Sequence, residues 1–135
     1  MVNLEPVLGQ YDADRMCAAK IGLVLDCMDL EGLAHFWSEA LGLEPLGSVE
    51  NYALLASGDG NLPKLLLQKV SEPKLAKNRM HLDIETIDVE AEVRRLEAIG
   101  ARRLETTPRS EHGSHWVVMV DPEENEFCVC DGGAT

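Results

Sequence analysis

The sequence predicts an α+β fold made of two tandem βαβββ modules, which form a curved mixed sheet around a cleft with the helices outside. The first observation is an internal repeat. Residues 21–42 and 80–100 each contain an alternating strand, a turn to aspartate, an amphipathic helix and a closing glycine. The second observation is that short strand-like runs follow each copy. Because one module alone leaves a sheet face bare, two modules are expected to enclose a shared interior.

The first module, at about residues 20–70, begins with a strand predicted at residues 20–26, where apolar side chains alternate with small or polar ones. Asp29 is placed to cap the following helix, since its carboxylate can accept backbone N–H bonds there. Gly42 suits the left-handed position that ends a helix. The apolar stripe of this helix consists of Leu30, Leu33, Ala34, Trp37 and Leu41.

The second module, at about residues 80–131, repeats this order. Its first strand alternates across residues 80–85, Asp88 is the predicted cap of the second helix, and Gly100 is predicted to end it. The buried stripe of the second helix is predicted to consist of Val89, Val93 and Leu96. The two copies are therefore expected to present the same faces to the same surroundings.

Short apolar runs predict the remaining strands. They cover residues 52–56 and 64–70 in the first module, and residues 102–106, 116–120 and 126–130 in the second. Residues 57–61 and 121–125 have turn compositions. The prediction is thus a single domain over residues 20–131, with an N-terminal extension at residues 1–19 and a tail at residues 132–135.

Composition narrows the class of partner. The chain has 135 residues and a net charge of −12, from 24 acidic and 12 basic residues. This balance argues against nucleic acid, whose phosphates require clustered Lys and Arg. No apolar run approaches the ~20 residues that span a bilayer, and the N-terminus lacks the order of a signal peptide. We therefore expect a cytoplasmic protein with no membrane partner, and four reduced cysteines because none lies in a C-x-x-C pair.

The strand period predicts which side chains face the cleft. Helices cover the apolar faces, so the opposite faces turn inward. The inward set is Gly22, Val24, Asp26, His81, Asp83, Glu85, Glu126, Cys128 and Cys130. Buried carboxylates are costly unless they are paired, hydrated or bound to a ligand. His81 can therefore serve as a general base, a metal ligand or a hydrogen-bond anchor, or simply satisfy Asp83; Trp116 offers a stacking surface for an organic ligand.

Three segments carry a resemblance to a known family: DLEGLAHFWSEALGL at residues 29–43, NRMHLDIE at residues 78–85, and WVVMVDPEENEFCVC at residues 116–130. With the two modules, they resemble the vicinal oxygen chelate superfamily, which includes glyoxalase I, bleomycin-resistance proteins, fosfomycin-resistance enzymes and extradiol dioxygenases. The greatest similarity is to the glyoxalase-like branch. The resemblance covers about residues 20–131.

The resemblance implies four positions for a divalent metal ion such as Zn, Ni, Fe or Mn. They fall on Gly22, Gln68, His81 and Cys128. Gly22 has no ligand atom, and Cys128 replaces a carboxylate with a thiol; Glu126 lies two residues earlier on the same face. If a metal is bound, the resemblance therefore implies His81, Gln68 and Cys128 as its ligands.

Three functions follow. The first is a protein that binds a small organic molecule without the usual metal centre, and we favour it because of Gly22 and Cys128. Its predicted ligand-binding residues are Asp26, Gln68, His81, Asp83, Trp116 and Cys128. The second is a metal-dependent lyase, isomerase or dioxygenase, for which His81, Cys128 and Glu126 are the catalytic candidates. The third is a non-catalytic dimeric module; a homodimer is expected in every case.

Overall fold

The computed structural model describes residues 21–132. In the first module the elements are β1 (Leu23–Cys27), α1 (Leu30–Leu41), β2 (Glu44–Val49), β3 (Tyr52–Ala56) and β4 (Leu65–Lys69). In the second module they are β5 (Leu82–Glu85), α2 (Val89–Ala98), β6 (Arg102–Arg103), β7 (Arg109–Glu111), β8 (Ser114–Val120) and β9 (Glu126–Cys130). The predicted extension at residues 1–19, with Cys17, and most of the predicted tail lie outside the described residues.

The two modules share one topology, which confirms the predicted α+β fold of tandem repeats. The first sheet has the order β1-β4-β3-β2, and the second has the order β5-β9-β8-β6 with β7 paired to β8. In each module the strand before the helix pairs in parallel with the last strand, and the other pairs are antiparallel. Each sheet is therefore mixed, and β1 and β5 are corresponding edge strands.

The predicted helix boundaries are nearly those observed. Asp29 accepts a bond from the backbone N–H of Gly32 at 3.1 Å, and Asp88 accepts one from Ala91 at 3.1 Å. Gly42 follows α1 with a φ of 66°, the left-handed conformation expected of it. After α2 the C-cap is Ile99, one residue before the predicted Gly100.

Several strand predictions differ from the structure. The prediction did not include β2 and β7. β2 is exposed along its length and contains Pro45 and a bulge near Gly47, whereas β7 consists of Arg-Ser-Glu. Neither strand has the apolar alternation that marks a half-buried strand. The first strand of each module also starts later than predicted, so Ile21 and Met80 are 82% and 83% exposed.

One hydrophobic core unites the two modules. The ring of Phe127, on β9, lies 5.2 Å from that of Trp37 and 6.3 Å from that of Phe36, both on α1. All three side chains are almost fully buried. Burying an aromatic side chain of this size stabilises the fold by about 2–3 kcal/mol. Since the helix and the strand come from different modules, both modules contribute side chains to this core.

Polar contacts tie the turn between β8 and β9 to the first module. The Glu123 carboxylate accepts bonds from the backbone N–H groups of Met28 and Asp29 at 2.7 and 2.8 Å, just before α1 begins. The indole N–H of Trp37 donates to Asp121 at 3.0 Å in the core. These contacts fix the second module's last hairpin against the first helix.

Within residues 21–132, neither helix has the length and hydropathy that crossing a membrane requires.

Candidate functional site

The inner face of the second sheet carries two rows of side chains that strand register brings together. Asp83 on β5 is the direct partner of Cys128 on β9, which in turn faces Val118 on β8. In the next row, Glu85 is opposite Cys130, and Cys130 is opposite Trp116. The period of two places both rows on the face away from the helices, as the sequence predicts.

A partly enclosed cavity of about 640 Å³ lies over this face. Its apolar lining consists of Leu104, Trp116 and Val118, and its thiols are Cys128 and Cys130. Its charged or titratable lining consists of Lys77, His81, Asp83, Glu85, Glu105, Arg109 and Glu126. A volume of this size is typical of sites for small organic ligands.

A histidine, a carboxylate and a thiol form the chemical centre of the cavity. His81 Nδ1 lies 3.0 Å from Asp83 Oδ1. Donor atoms of His81, Asp83 and Cys128 all lie within 4.8 Å of one another. When Nδ1 of His81 carries the proton and donates to Asp83, the other ring nitrogen is left as an acceptor, a base or a metal ligand.

The Cys128 thiol stays protonated near neutral pH. Burial raises its pKa to about 11, and the nearby Asp83 and Cys130 add to the effect, against the opposing charges of Arg109 and Lys77. At pH 7 only about one molecule in ten thousand then carries the thiolate. A resting cysteine of this kind is a poor nucleophile, so the arrangement does not favour covalent catalysis.

Glu126, a predicted catalytic residue, is held by the segment that joins the modules. Its carboxylate pairs with Lys74 at 2.6 Å and accepts bonds from the backbone N–H of Asn78 at 3.1 and 3.2 Å. Burial would raise its pKa, but the hydrogen bond from Lys74 and that from Asn78 outweigh burial and lower it. Glu126 thus lies at the edge of the cavity as an ionised, satisfied anchor.

Asp26 and Gln68 lie apart from this cavity. They are direct partners on β1 and β4, on the inner face of the first sheet. The Gln68 amide donates to the Tyr52 hydroxyl at 3.4 Å. The structure therefore brings together His81, Asp83, Trp116 and Cys128 from the predicted set, and leaves Asp26 and Gln68 on another surface of the same chain.

The rim of the cavity contains residues that sequence reasoning missed. Arg109, on β7, is bonded to Glu105, and Lys77 precedes β5. Arg109 could have been found only by recognising β7, whose short charged sequence gives no strand signal. The turn between β7 and β8, where His112 has a φ of 51°, also lies beside the cavity, because Ser114 at the start of β8 lines it.

The fold and the match to a family profile identify the chain as a member of the vicinal oxygen chelate superfamily. More closely, the chain belongs to the glyoxalase-like domain family, whose sequence profile matches residues 22–130. No protein of curated function matches the chain.

Solved structures share this fold at low sequence identity. A mutant of the fosfomycin resistance protein FosX from Listeria monocytogenes, complexed with Mn(II) and a dihydroxypropylphosphonic acid, has a TM-score of 0.69 and 14% identity. The match covers 88% of this chain and 93% of that one. A glyoxalase-related enzyme from Fulvimarina pelagi has a TM-score of 0.64 and 19% identity, over 84% and 88%. A glyoxalase/bleomycin resistance protein/dioxygenase family enzyme from Burkholderia phytofirmans PsJN has a TM-score of 0.61 and 16% identity, over 80% and 94%.

The four metal positions implied by the resemblance do not converge in this chain. Gly22 offers no donor, and a Cβ added there would meet no atom within 4 Å. Gln68 lies on the first sheet, bonded to Tyr52. Of the four positions, His81 and Cys128 line the cavity described above, and Gly22 and Gln68 do not. A centre with ligands from both modules therefore does not fit a single chain.

Proposed function

We propose that this protein binds a small organic molecule in the cavity of the second sheet, without a metal centre of the usual four-position kind. The observation that carries the proposal is the cavity itself: about 640 Å³, with Trp116 on one strand and the His81–Asp83 pair on another. Apolar walls with a few convergent polar groups are typical of ligand sites.

Charge favours a neutral or cationic ligand with a flat face. The acidic groups of the lining outnumber its basic ones, and Arg109 is already bonded to Glu105. The indole of Trp116 can stack on a planar ligand, and His81 can donate to or accept from a carbonyl or hydroxyl group. Neutral aromatic and dicarbonyl compounds satisfy these requirements.

Native mass spectrometry and thermal shift test this proposal. Untreated protein is expected to carry a bound molecule, or else to be stabilised by members of a panel of neutral aromatic and dicarbonyl compounds. For such a compound, Trp116→Ala should weaken binding about two- to tenfold, since stacking contributes about 0.5–1.5 kcal/mol. Leu75→Ala is the matched control, because Leu75 is 89% exposed and does not line the cavity. Undiminished binding by Trp116→Ala, or no bound molecule and no stabilising compound, would overturn the proposal.

The second candidate is a metal-dependent lyase, isomerase or dioxygenase that uses His81 with Gln68 and Cys128. The proximity of His81 and Cys128 favours it, as does the Mn(II) in the FosX structure. Metal content of purified protein with and without Gln68→Ala separates the two candidates. Metal that depends on Gln68 would favour the second.

The proposal includes a cytoplasmic homodimer. The inner face of the first sheet has no helix over it and exposes Val24 and Tyr52, at 58% and 42%. A second copy would cover this face and bring Asp26 and Gln68 into a cleft, and small homo-oligomers commonly close by two-fold symmetry. Free thiols at Cys27, Cys128 and Cys130 suit a reducing compartment. Light scattering of wild type and Val24→Asp tests the dimer, and cell fractionation tests the location.

A further inference from the structure

The inner face of the second module brings together three different metal-binding side chains, two on paired strands and one immediately before β5. His81 immediately precedes β5, two residues before Asp83, and Asp83 is the register partner of Cys128 on β9. All three donor atoms lie within 4.8 Å of one another. Strand pairing, rather than a mobile loop, sets the spacing of Asp83 and Cys128.

We propose that His81, Asp83 and Cys128 form a site for a thiophilic divalent cation of the Zn²⁺ class, assembled within one module of one chain. The site differs from a four-position centre in two respects. Asp83 takes the place of Gln68, and no residue of the first module takes part. It also goes beyond the proposed organic ligand, since the cation is bound by protein atoms alone.

The donor types select the ion. Zn²⁺ accepts nitrogen, oxygen and sulfur together, whereas Mg²⁺ and Mn²⁺ favour oxygen ligands. A thiolate in place of a carboxylate therefore shifts preference away from the ion bound in the FosX structure. Cys128 is buried, and His81 and Asp83 are half-exposed, so an ion can enter from the cavity.

The spacing agrees with this ion. Bonds of about 2.0–2.3 Å in tetrahedral geometry separate neighbouring donor atoms by roughly 3.6 Å. Donor atoms within 4.8 Å must therefore approach by about 1 Å at most, which side-chain rotation can supply. The remaining coordination position would face the cavity, where water or an organic ligand can occupy it.

Binding of the ion would displace one proton from the protein. Binding removes the proton from the Cys128 thiol, because the thiolate is the ligand form, and releases it to solvent. His81 binds as the neutral imidazole and Asp83 as the carboxylate. No redox step is required, since Zn²⁺ does not change oxidation state.

Metal titration of tag-free, chelator-treated protein tests the proposal without any organic ligand. About one Zn²⁺ per chain is expected by elemental analysis, with stronger thermal stabilisation by Zn²⁺ than by Mn²⁺. Co²⁺ should give a near-ultraviolet thiolate-to-cobalt absorption band. Stoichiometric Mn²⁺ without Zn²⁺, or Co²⁺ binding without that band, would overturn it.

Variants assign the ligands. His81→Ala, Asp83→Asn and Cys128→Ser should each weaken Zn²⁺ binding at least tenfold, in the range seen when a ligand or its immediate partner is lost. Gln68→Ala and Cys130→Ser are the matched controls and should keep full affinity. Near-ultraviolet circular dichroism establishes that each variant is folded, and Asp83→Asn, being isosteric and exposed, remains informative if Cys128→Ser does not fold. Loss in Gln68→Ala, or retention in Asp83→Asn, contradicts the assignment.

These results are separable from the organic-ligand proposal. A protein that binds Zn²⁺ but no compound of the panel supports the cation site and not the proposed function. A protein whose ligand binding depends on Trp116, and which binds no Zn²⁺, gives the opposite result.

Discussion

The two modules have the same topology but different inner faces. Register places Val24, Leu66 and Leu54 in one row of the first sheet, and Asp83, Cys128 and Val118 in the corresponding row of the second. The first row contains only hydrocarbon, whereas the second contains a carboxylate and a thiol beside His81. The helix-facing sides of both sheets are alike, since both pack into one core. The repeat therefore specifies the scaffold, and the free face of each sheet specifies the chemistry.

The largest loss of stability should come from truncating a side chain in the core where the two modules meet. Phe127→Ala is expected to lower the free energy of unfolding by about 3–5 kcal/mol, because the ring fills space against Phe36 and Trp37. Leu66→Ala, on the inner face of the first sheet, should cost about 1 kcal/mol, since Leu66 is only partly buried. Urea denaturation measures both. Equal losses would mean that the first inner face is covered as completely as the core.

The hairpin turns of the two modules give the second comparison. Asp121 is buried and accepts bonds from Trp37, Asn125 and the backbone of Glu123, so Asp121→Ala leaves several buried donors unpaired. We expect a loss of about 3 kcal/mol in the free energy of unfolding. Asp59 occupies the corresponding turn of the first module, but it is exposed to solvent. Its carboxylate accepts bonds from the backbone and side-chain N–H groups of Asn61.

Asp59→Ala is therefore the control for Asp121→Ala, with an expected loss below about 1 kcal/mol. If thermal and urea unfolding rank the two variants in the opposite order, the buried network at Asp121 is not what stabilises the second hairpin.

The stability of the two sheets should also depend differently on pH. The folded-state pKa of Glu126 is lowered from 4.5, so its contribution to stability is present above about pH 4.5 and is lost as pH falls through the lower, folded pKa. Glu126→Gln should be less stable than wild type at pH 7, and the difference should shrink in acid. Urea midpoints from pH 3 to pH 7 measure it.

Asp26→Asn is the counterpart on the first sheet. Asp26 is exposed, so its replacement should change the midpoint less than Glu126→Gln does at pH 7. A pH-independent difference for Glu126→Gln would show that the Lys74 contact does not depend on the carboxylate charge.

The smallest expected difference is in the rates at which the cysteine thiols react. Burial raises the pKa of Cys27 and of Cys128 to about 11, with nearby carboxylates adding to it. Both should be alkylated slowly by iodoacetamide at pH 7.5, and more slowly than the half-buried Cys130. Zn²⁺ should slow alkylation of Cys128 further and leave Cys27 unchanged, because Cys128 lines the cavity and Cys27 does not. Peptide mapping by mass spectrometry assigns each site; faster reaction at Cys27 than at Cys130 would contradict the assigned burial.

The sequence predicted the repeated strands and helices well because their signals are local. The caps at Asp29 and Asp88, the αL glycine at Gly42 and the alternation on β9 all arise within a few residues. It also assigned His81, Asp83 and Cys128 to one face. The period of two predicts on which face of its own sheet a side chain lies, but not how far it lies from a side chain on the other sheet. The resemblance, not the strand period, grouped Gln68 with His81, whereas the structure places Gln68 on the first sheet.

What the sequence could not predict depends on contacts between distant segments. Glu126 lies on the inward face of its strand, yet its charge is satisfied by Lys74 and Asn78, about fifty residues earlier in the chain. β2 and β7 exist because neighbouring strands supply their hydrogen bonds, not because their own residues favour extended structure.

The Glu123 carboxylate at the start of α1 has a consequence for biosynthesis. Its bonds to Met28 and Asp29 join residues separated by 95 and 94 positions. During translation the first module therefore emerges from the ribosome before Glu123 and Phe127, which contact its helix, have been synthesised. The first module should therefore not fold stably until the last hairpin has emerged. If the chain is divided between residues 70 and 80, the two fragments should fold only when they are combined.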